Sequence, residues 1–140
     1  MRHFSGHDPR AILLQVNCPF HTSILEPARN ELDEFIKSVP LNSSIQMDLI
    51  SNVTGRPYPT QSGDETAKLK EWKNLIVQQA IVPVCWSESV KYLEDQGVRT
   101  WISVGPGDVG KNLVGKDIGM DKVFGLSKVS DLEPIAKLLS

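Results

Sequence analysis

The chain has 140 residues and a mass of 15.5 kDa, which is enough for one domain or for a part of one. Fifteen Lys and Arg residues against 17 Asp and Glu residues give a formal charge of −2, so the basic excess of a nucleic-acid-binding protein is absent. No apolar run approaches the roughly 20 residues of a membrane-spanning helix. Two cysteines make neither a disulfide scaffold nor a zinc site. We therefore expect a soluble mixed domain with no nucleic-acid or membrane partner.

The N-terminal residues carry little information about the compartment. Residues 1–4 are followed by polar residues and not by the apolar stretch of a secretory signal. Asp8 and Pro9 interrupt the amphipathic helix that a transit peptide would need. We therefore expect a cytoplasmic or mitochondrial protein, and the sequence does not choose between the two.

The first half of the chain alternates between strand and helix patterns. Residues 11–16 are almost continuously apolar, which predicts a buried strand. Residues 23–26 (Ser-Ile-Leu-Glu) have the spacing of a capping box, which predicts a helix that ends before Pro40. A second strand is predicted over residues 47–50, and the prolines and glycines of residues 51–63 predict a turn and a surface loop. The apolar stripe of the predicted helix comprises Leu25, Ala28, Leu32, Phe35 and Ile36.

The second half continues the alternation. In chain order, its pattern predicts a helix over 64–80, a helix from Trp86 that Gly97 ends, a strand over 99–104, a short helix after the Gly-Pro-Gly turn at 105–107, a strand over 123–126 and a terminal helix opened by a capping box at 130–133. Strands that alternate with helices favour parallel pairing, with the helices on the faces of the sheet. The predicted fold class is therefore α/β.

His21 is the candidate catalytic residue that the sequence offers. It lies in a loop between a predicted strand and a predicted helix, which is where α/β proteins place reactive groups. An imidazole at such a position can act as a general base near neutral pH. A solvated or hydrogen-bonded histidine without a catalytic role is the alternative, and it is the interpretation we give to His3 and His7.

Five short motifs together resemble a known family. They are residues 19–22 (Pro-Phe-His-Thr), 25–28 (Leu-Glu-Pro-Ala), 50–55 (Ile-Ser-Asn-Val-Thr-Gly), 79–90 (Gln-Ala-Ile-Val-Pro-Val-Cys-Trp-Ser-Glu-Ser-Val) and 104–107 (Val-Gly-Pro-Gly). Their order and gaps resemble the C-terminal part of malonyl-CoA:acyl-carrier-protein transacylases and of the acyltransferase domains of fatty-acid and polyketide synthases.

The resemblance implies a fold and a division of the chain. The fold is a partial parallel sheet with flanking helices, the C-terminal portion of an α/β-hydrolase-like acyltransferase domain. Residues 1–17 would be an N-terminal segment with the last strand of the family's ferredoxin-like insert. Residues 18–140 would be the C-terminal part of the large subdomain.

The resemblance also implies roles for four residues. His21 matches the general base that deprotonates a serine, which then takes the malonyl group from malonyl-CoA and passes it to acyl carrier protein. The backbone carbonyl of Gln79 would orient His21, although a surface amide at a helix end is the alternative. Phe20 would line the substrate pocket and leave no room for the extra methyl group of a methylmalonyl unit, or it packs under the loop. Asn52 is assigned to the substrate pocket, and its place at the end of a predicted strand would let it orient the loop of His21, or it makes an Asx turn.

No metal or redox cofactor is implied by the resemblance; malonyl-CoA and the phosphopantetheine of the acyl carrier protein are the substrates. The sequence departs from the family at Ser103, where a glutamate is usual, and at Gly110, where a larger residue is usual, so we expect altered packing there. Cys18 and Cys85 are interpreted as small buried residues.

The family's nucleophile, a serine in a Gly-His-Ser-x-Gly turn, has no counterpart in the sequence. Residues 5–8 come close, but Asp8 stands where the serine would be, and neither Arg2 nor Arg10 matches the arginine that binds the malonyl carboxylate. We therefore expect the chain alone to be inactive. Either it is part of a longer transacylase, which we favour, or it is a non-catalytic module that binds a carrier protein or a synthase.

Overall fold

The computed structural model describes residues 16–42, 46–58 and 64–139. In these ranges it has the helices α1 (Glu26–Ser38), α2 (Glu65–Gln78), α3 (Trp86–Asp95), α4 (Val109–Ile118) and α5 (Leu132–Leu139), and the strands β1 (Trp101–Val104) and β2 (Val123–Leu126). Short 3-10 turns precede α1, β2 and α5. No helix within the described ranges is long and apolar enough to cross a membrane.

The sheet consists of β1 and β2, which pair in parallel. Trp101 lies opposite Val123 and Val104 lies opposite Leu126, with α4 as the crossover between the two strands. A crossover helix is the usual way to join parallel neighbours, because the end of the first strand and the start of the second lie at opposite ends of the sheet. The α/β class and the parallel pairing predicted from the alternating pattern are confirmed.

Two clusters of buried side chains hold the helices in place. Under the sheet, Val90 of α3, Val114 and Ile118 of α4 and Val123 of β2 pack together. The second cluster contains Tyr58, Trp72 and Leu75, and the rings of Tyr58 and Trp72 meet edge to face with centroids 5.6 Å apart. Trp72 and Leu75 belong to α2, so this cluster fixes the helix whose C-terminal end faces the candidate site.

The strand predicted over residues 47–50 is wrong. Only Ile50 pairs, in a single antiparallel bridge to Pro57, and Met47 is exposed. The chain reverses directly after Ile50, and Pro57 has no N–H with which to extend a ladder. The strand predicted over 11–16 falls mostly outside the described residues, and Val16 has no strand conformation.

The first predicted capping box does not form. A 3-10 turn, Ser23–Leu25, stands before α1, and Leu25 caps α1 without a side-chain hydrogen bond. The Thr22 hydroxyl donates back to the Pro19 carbonyl, at 2.7 Å. Of the predicted apolar stripe, Ile36 is buried and Phe35 is 67 % exposed, so only part of the stripe is covered where α1 packs against its neighbours.

The cap before α5 uses a different residue from the one predicted. The carboxylate of Asp131 accepts the backbone N–H groups of Ser127 and Lys128, at 3.0 and 3.1 Å, across a 3-10 turn. The capping box predicted for residues 130–133 would start the helix after Ser130. In the structure a 3-10 turn begins at Val129 and leads into α5.

Glycines 55 and 97 both have positive φ, at 64° and 90°, but their surroundings differ. Gly97 ends α3 as predicted, and a Cβ built on it would meet nothing within 4 Å. A Cβ on Gly55 would lie 2.7 Å from Glu88 Cβ and 3.3 Å from the Ser89 backbone nitrogen. The turn at Gly55 therefore packs directly on the first turn of α3.

We expect Gly55→Ala to destabilise the fold much more than Gly97→Ala. The left-handed conformation costs a non-glycine residue about 1–2 kcal/mol, and at position 55 the overlap with Glu88 adds about 1–3 kcal/mol. Chemical unfolding of both variants measures the difference. Equal losses of stability would show that the turn does not depend on its approach to α3.

Candidate functional site

His21 lies in the loop that leads into α1, and its backbone has φ of 60°. Among the described residues it is the only non-glycine residue with positive φ. Residues held in this region cost of order 1–3 kcal/mol and persist where their surroundings hold them in place. The imidazole is exposed, so hydrogen bonds and not burial must supply that hold.

Two consecutive carbonyl groups just beyond α2 hold His21. The ring Nδ1 of His21 lies 2.7 Å from the Gln79 carbonyl oxygen. The backbone N–H of His21 donates to the Ala80 carbonyl, at 3.1 Å. Since the last carbonyls of an α-helix have no partner within the helix, this end of α2 offers acceptors that a neighbouring loop can use.

The contact with Gln79 determines where the neutral imidazole carries its proton. A carbonyl oxygen can only accept, so Nδ1 must donate, and the proton is on Nδ1. Nε2 then keeps its lone pair and is the atom that can take a proton from another group. The arrangement can therefore do the work of a general base.

Gln79 also connects His21 to Asn52. The Asn52 side-chain amide donates to Gln79 Oε1 at 3.1 Å, while the backbone oxygen of the same glutamine contacts His21. Gln79 is thus more than a surface amide, because both of its oxygens have partners. The structure brings His21, Gln79 and Asn52 together, as a site at this position requires; their roles in catalysis stay predictions.

Phe20 lies beside this group and is not packed under the loop. Its ring is 64 % exposed, and its centroid is 6.5 Å from that of His21. The alternative in which Phe20 fills space beneath the loop is therefore wrong. The ring is therefore accessible beside the imidazole, and its role in a substrate pocket stays a prediction.

Sequence reasoning missed Ser51, which is completely buried. Its Oγ accepts the Val53 N–H at 3.2 Å, so Ser51 and not Asn52 makes the side-chain turn here. The Asx turn considered for Asn52 is replaced by its bond to Gln79. The signal for Ser51 was the motif at 50–55, in which nothing distinguishes a buried serine from an exposed one.

The remaining candidates have structural surroundings. Cys18 and Cys85 are half-buried and not buried as predicted, and Cys85 Sγ donates to the Val53 carbonyl at 3.1 Å. A Cβ on Gly110 would lie 2.5 Å from Ser103 Oγ, so the two positions at which we predict departures from the family pattern face each other. Within the described ranges, no three His, Cys, Asp or Glu side chains are placed to hold a metal ion.

Comparisons with known proteins agree on one group of relatives, although no protein-family profile matches the chain. The malonyl CoA-acyl carrier protein transacylase of Bacillus subtilis strain 168 is 34 % identical over 107 residues, covering 76 % of this chain and 31 % of that protein. The solved malonyl CoA-acyl carrier protein transacylase of Clostridium perfringens matches with a TM-score of 0.77 and 28 % identity, over 93 % of this chain and 38 % of that one. The chain is homologous to part of the malonyl CoA-acyl carrier protein transacylases.

A further relative comes from polyketide biosynthesis. The polyketide biosynthesis protein ThaF of Burkholderia thailandensis is 32 % identical over 105 residues, which is 75 % of this chain and 8 % of ThaF. The resemblance drawn from the five motifs is thus confirmed. The chain spans about a third of the length of the curated transacylases it matches, so the activity of such a whole protein is a matter for proposal.

We expect the neutral imidazole of His21 to carry its proton on Nδ1 in this transacylase relative. Nitrogen-15 NMR of the ring distinguishes the protonated from the unprotonated nitrogen. The chain unfolded in urea is the control, because unfolding separates His21 from Gln79. A folded protein whose Nε2 carries the proton would contradict the contact with the Gln79 carbonyl.

Proposed function

We propose that this chain supplies the general base for transfer of a malonyl group from coenzyme A to an acyl carrier protein, in fatty-acid or polyketide biosynthesis. The observation that carries the proposal is the 2.7 Å contact between His21 Nδ1 and the Gln79 carbonyl, in a chain homologous to malonyl CoA-acyl carrier protein transacylases. We also propose that residues 18–140 form the C-terminal part of the large subdomain and residues 1–17 the segment that enters it.

In the proposed first half-reaction, His21 Nε2 takes the proton from a serine hydroxyl as the serine oxygen attacks the malonyl thioester carbonyl. An alcohol is a weak nucleophile until a neighbouring base removes its proton. The coenzyme A thiolate leaves and receives that proton from the imidazolium. The Gln79 carbonyl keeps accepting from Nδ1–H, which favours the positive ring while it forms.

The second half-reaction repeats these proton transfers with the carrier protein. His21 Nε2 takes the proton from the phosphopantetheine thiol, whose sulfur attacks the malonyl-serine ester. The serine oxygen leaves and takes the proton back from the ring. Each step moves a proton and an acyl group, so the proposed reaction needs no metal or redox cofactor.

The serine must come from outside these 140 residues, because they contain no Gly-His-Ser-x-Gly. We propose that a further part of the protein carries it, together with the groups that bind the malonyl carboxylate and the oxyanion. We propose that this part packs on an open groove of about 420 Å³ that is lined by Asn52, Trp86 and β1; His21 and Gln79 do not line the groove, and Asn52 connects it to them. Val104, which also lines the groove, is 74 % exposed, an apolar side chain on a strand that pairs on one side within the described residues.

A non-catalytic binding module is the second candidate, and the missing nucleophile motif favours it. Such a module would bind an acyl carrier protein saturably, and His21→Ala would leave that binding unchanged. The proposed enzyme differs because it gains activity when the serine-bearing part is supplied.

We expect no malonyl adduct when the chain alone is incubated with malonyl-CoA and holo acyl carrier protein, as followed by intact mass. Co-expression with the part of the Bacillus subtilis transacylase that this chain does not match should produce malonyl-carrier protein. In that complex His21→Ala should lower the rate at least about a hundredfold, because a positioned general base contributes that much or more.

The matched control for this experiment is His7→Ala, a histidine to which the sequence assigns no catalytic role, which should keep the rate of the complex. A stable malonyl adduct on the chain alone would contradict the missing nucleophile. A complex that transfers malonyl equally well with and without His21 would contradict the proposed base.

Substrate choice provides a separate test through Phe20. In the reconstituted complex, Phe20→Ser should raise the transfer rate with methylmalonyl-CoA relative to that with malonyl-CoA by about tenfold, because one methyl group in a pocket changes discrimination by about 1–3 kcal/mol. Phe35→Ser is the control, since Phe35 is equally exposed but lies on α1. An unchanged ratio of the two rates would show that Phe20 forms no wall of the pocket.

A further inference from the structure

The turn over residues 51–56 is closed around one buried side chain. Ser51 has no exposed surface, its backbone N–H donates to the Arg56 carbonyl at 2.8 Å, and its own carbonyl accepts the Gly55 N–H at 2.9 Å. The hydroxyl of Ser51 accepts a third bond, from the Val53 N–H. A buried polar residue with its groups bonded in this way fixes the path of the chain around it.

The same turn is attached to the start of α3. The Asn52 carbonyl accepts the Cys85 N–H at 2.8 Å, and the Val53 carbonyl accepts from Cys85 Sγ. Gly55 approaches Glu88 so closely that a Cβ would collide with it. Three contacts over four successive residues leave the turn little freedom to rotate against the helix.

From this fixed turn, one side chain reaches the candidate site. Asn52 Nδ2 donates to Gln79 Oε1. Gln79 lies just beyond the last residue of α2; its backbone N–H still donates to the Leu75 carbonyl, and its side chain is held by Asn52. The backbone oxygen of Gln79 is the acceptor for His21. The amide of Asn52 therefore restrains the residue whose carbonyl sets the proton position on the imidazole.

We infer that Ser51 and Asn52 are positioning residues that fix the His21 imidazole through Gln79. Ser51 holds the turn, Asn52 holds Gln79, and Gln79 holds the ring. We call this series of positioning contacts, from Ser51 through Asn52 and Gln79 to His21, the relay; no proton moves along it. Its importance for catalysis rests on the proposed function, but the contacts themselves are a property of the folded chain. They can therefore be measured without malonyl-CoA and without the serine-bearing part.

The test is nitrogen-15 NMR of the His21 ring in the full chain, reporting the ratio of the Nδ1–H to the Nε2–H form of the neutral imidazole. Asn52→Ala should lower this ratio about threefold, in keeping with the modest net strength of one hydrogen bond. Gln79→Ala, which keeps the backbone carbonyl but removes Oε1, should lower it similarly. The double variant should show no larger change than either single one, because both remove the same bond.

Gln78→Ala is the matched control, since Gln78 is the last residue of α2, directly before Gln79, and its side chain donates to Asn74 instead. It should leave the ratio unchanged. Ser51→Ala should lower the ratio in the same direction as Asn52→Ala. Because loss of a buried hydroxyl can unfold the chain, the exposed Asn52 carries the decisive comparison.

The relay is overturned if Asn52→Ala leaves the ratio as it is in the unaltered chain, or if the effects of Asn52→Ala and Gln79→Ala add in full. Neither outcome contradicts the proposal that His21 is a general base, because that proposal is tested by the malonyl-transfer rate of the reconstituted complex. Conversely, a complex without transfer activity would overturn the proposed function and leave an observed change in the ring ratio standing.

Discussion

The carbonyl groups at the end of α2 constrain the whole site. A helix leaves its last carbonyls without helical partners, and here those of Gln79 and Ala80 bind the ring and the backbone of a residue 58 and 59 positions away in the chain. The loop of His21 is therefore attached to α2 by the same atoms that orient the imidazole. Anything that moves the end of α2, including its packing through Trp72 and Leu75, also moves the ring.

His21 and Gly55 use the left-handed backbone for different reasons. At Gly55 the absence of a side chain is what permits the turn to touch α3. At His21 the side chain is needed, so the conformational cost of about 1–2 kcal/mol falls on a residue with a Cβ. Two hydrogen bonds to α2, each with a net value of about 1 kcal/mol, are of the size required to offset it.

Much of the fold could be predicted from local pattern. The strand over 123–126 has the predicted bounds, α2 lies within the predicted range, and Gly97 ends α3 as expected. The wrong predictions share a cause, which is that a local pattern does not show which partner the chain finds. The apolar residues at 47–50 resemble a strand, but only Ile50 pairs, in a single bridge to Pro57. A capping box in the sequence likewise shows only that the residue types can form the bonds. At Ser23 the predicted side-chain cap is absent, and Asp131 accepts from the N–H groups of Ser127 and Lys128 instead.

The candidate site was predictable in its members and not in its geometry. His21, Gln79, Phe20 and Asn52 came from motifs, but no spacing rule gives a contact across the distance in sequence between His21 and Gln79. Burial was harder still, since Ser51 sits in a polar motif typical of exposed turns and is nevertheless without exposed surface. Such a residue becomes visible only when the strands and helices around it are in place.

The facing pair Ser103 and Gly110 makes the choice of residue at one position depend on the other. The serine hydroxyl occupies the space that any side chain at 110 would begin to fill. A larger residue at 110 therefore requires the Ser103 hydroxyl to turn to another rotamer, so the effects of substitutions at the two positions should not add. Packing between β1 and the start of α4 is thus set by the two residues jointly.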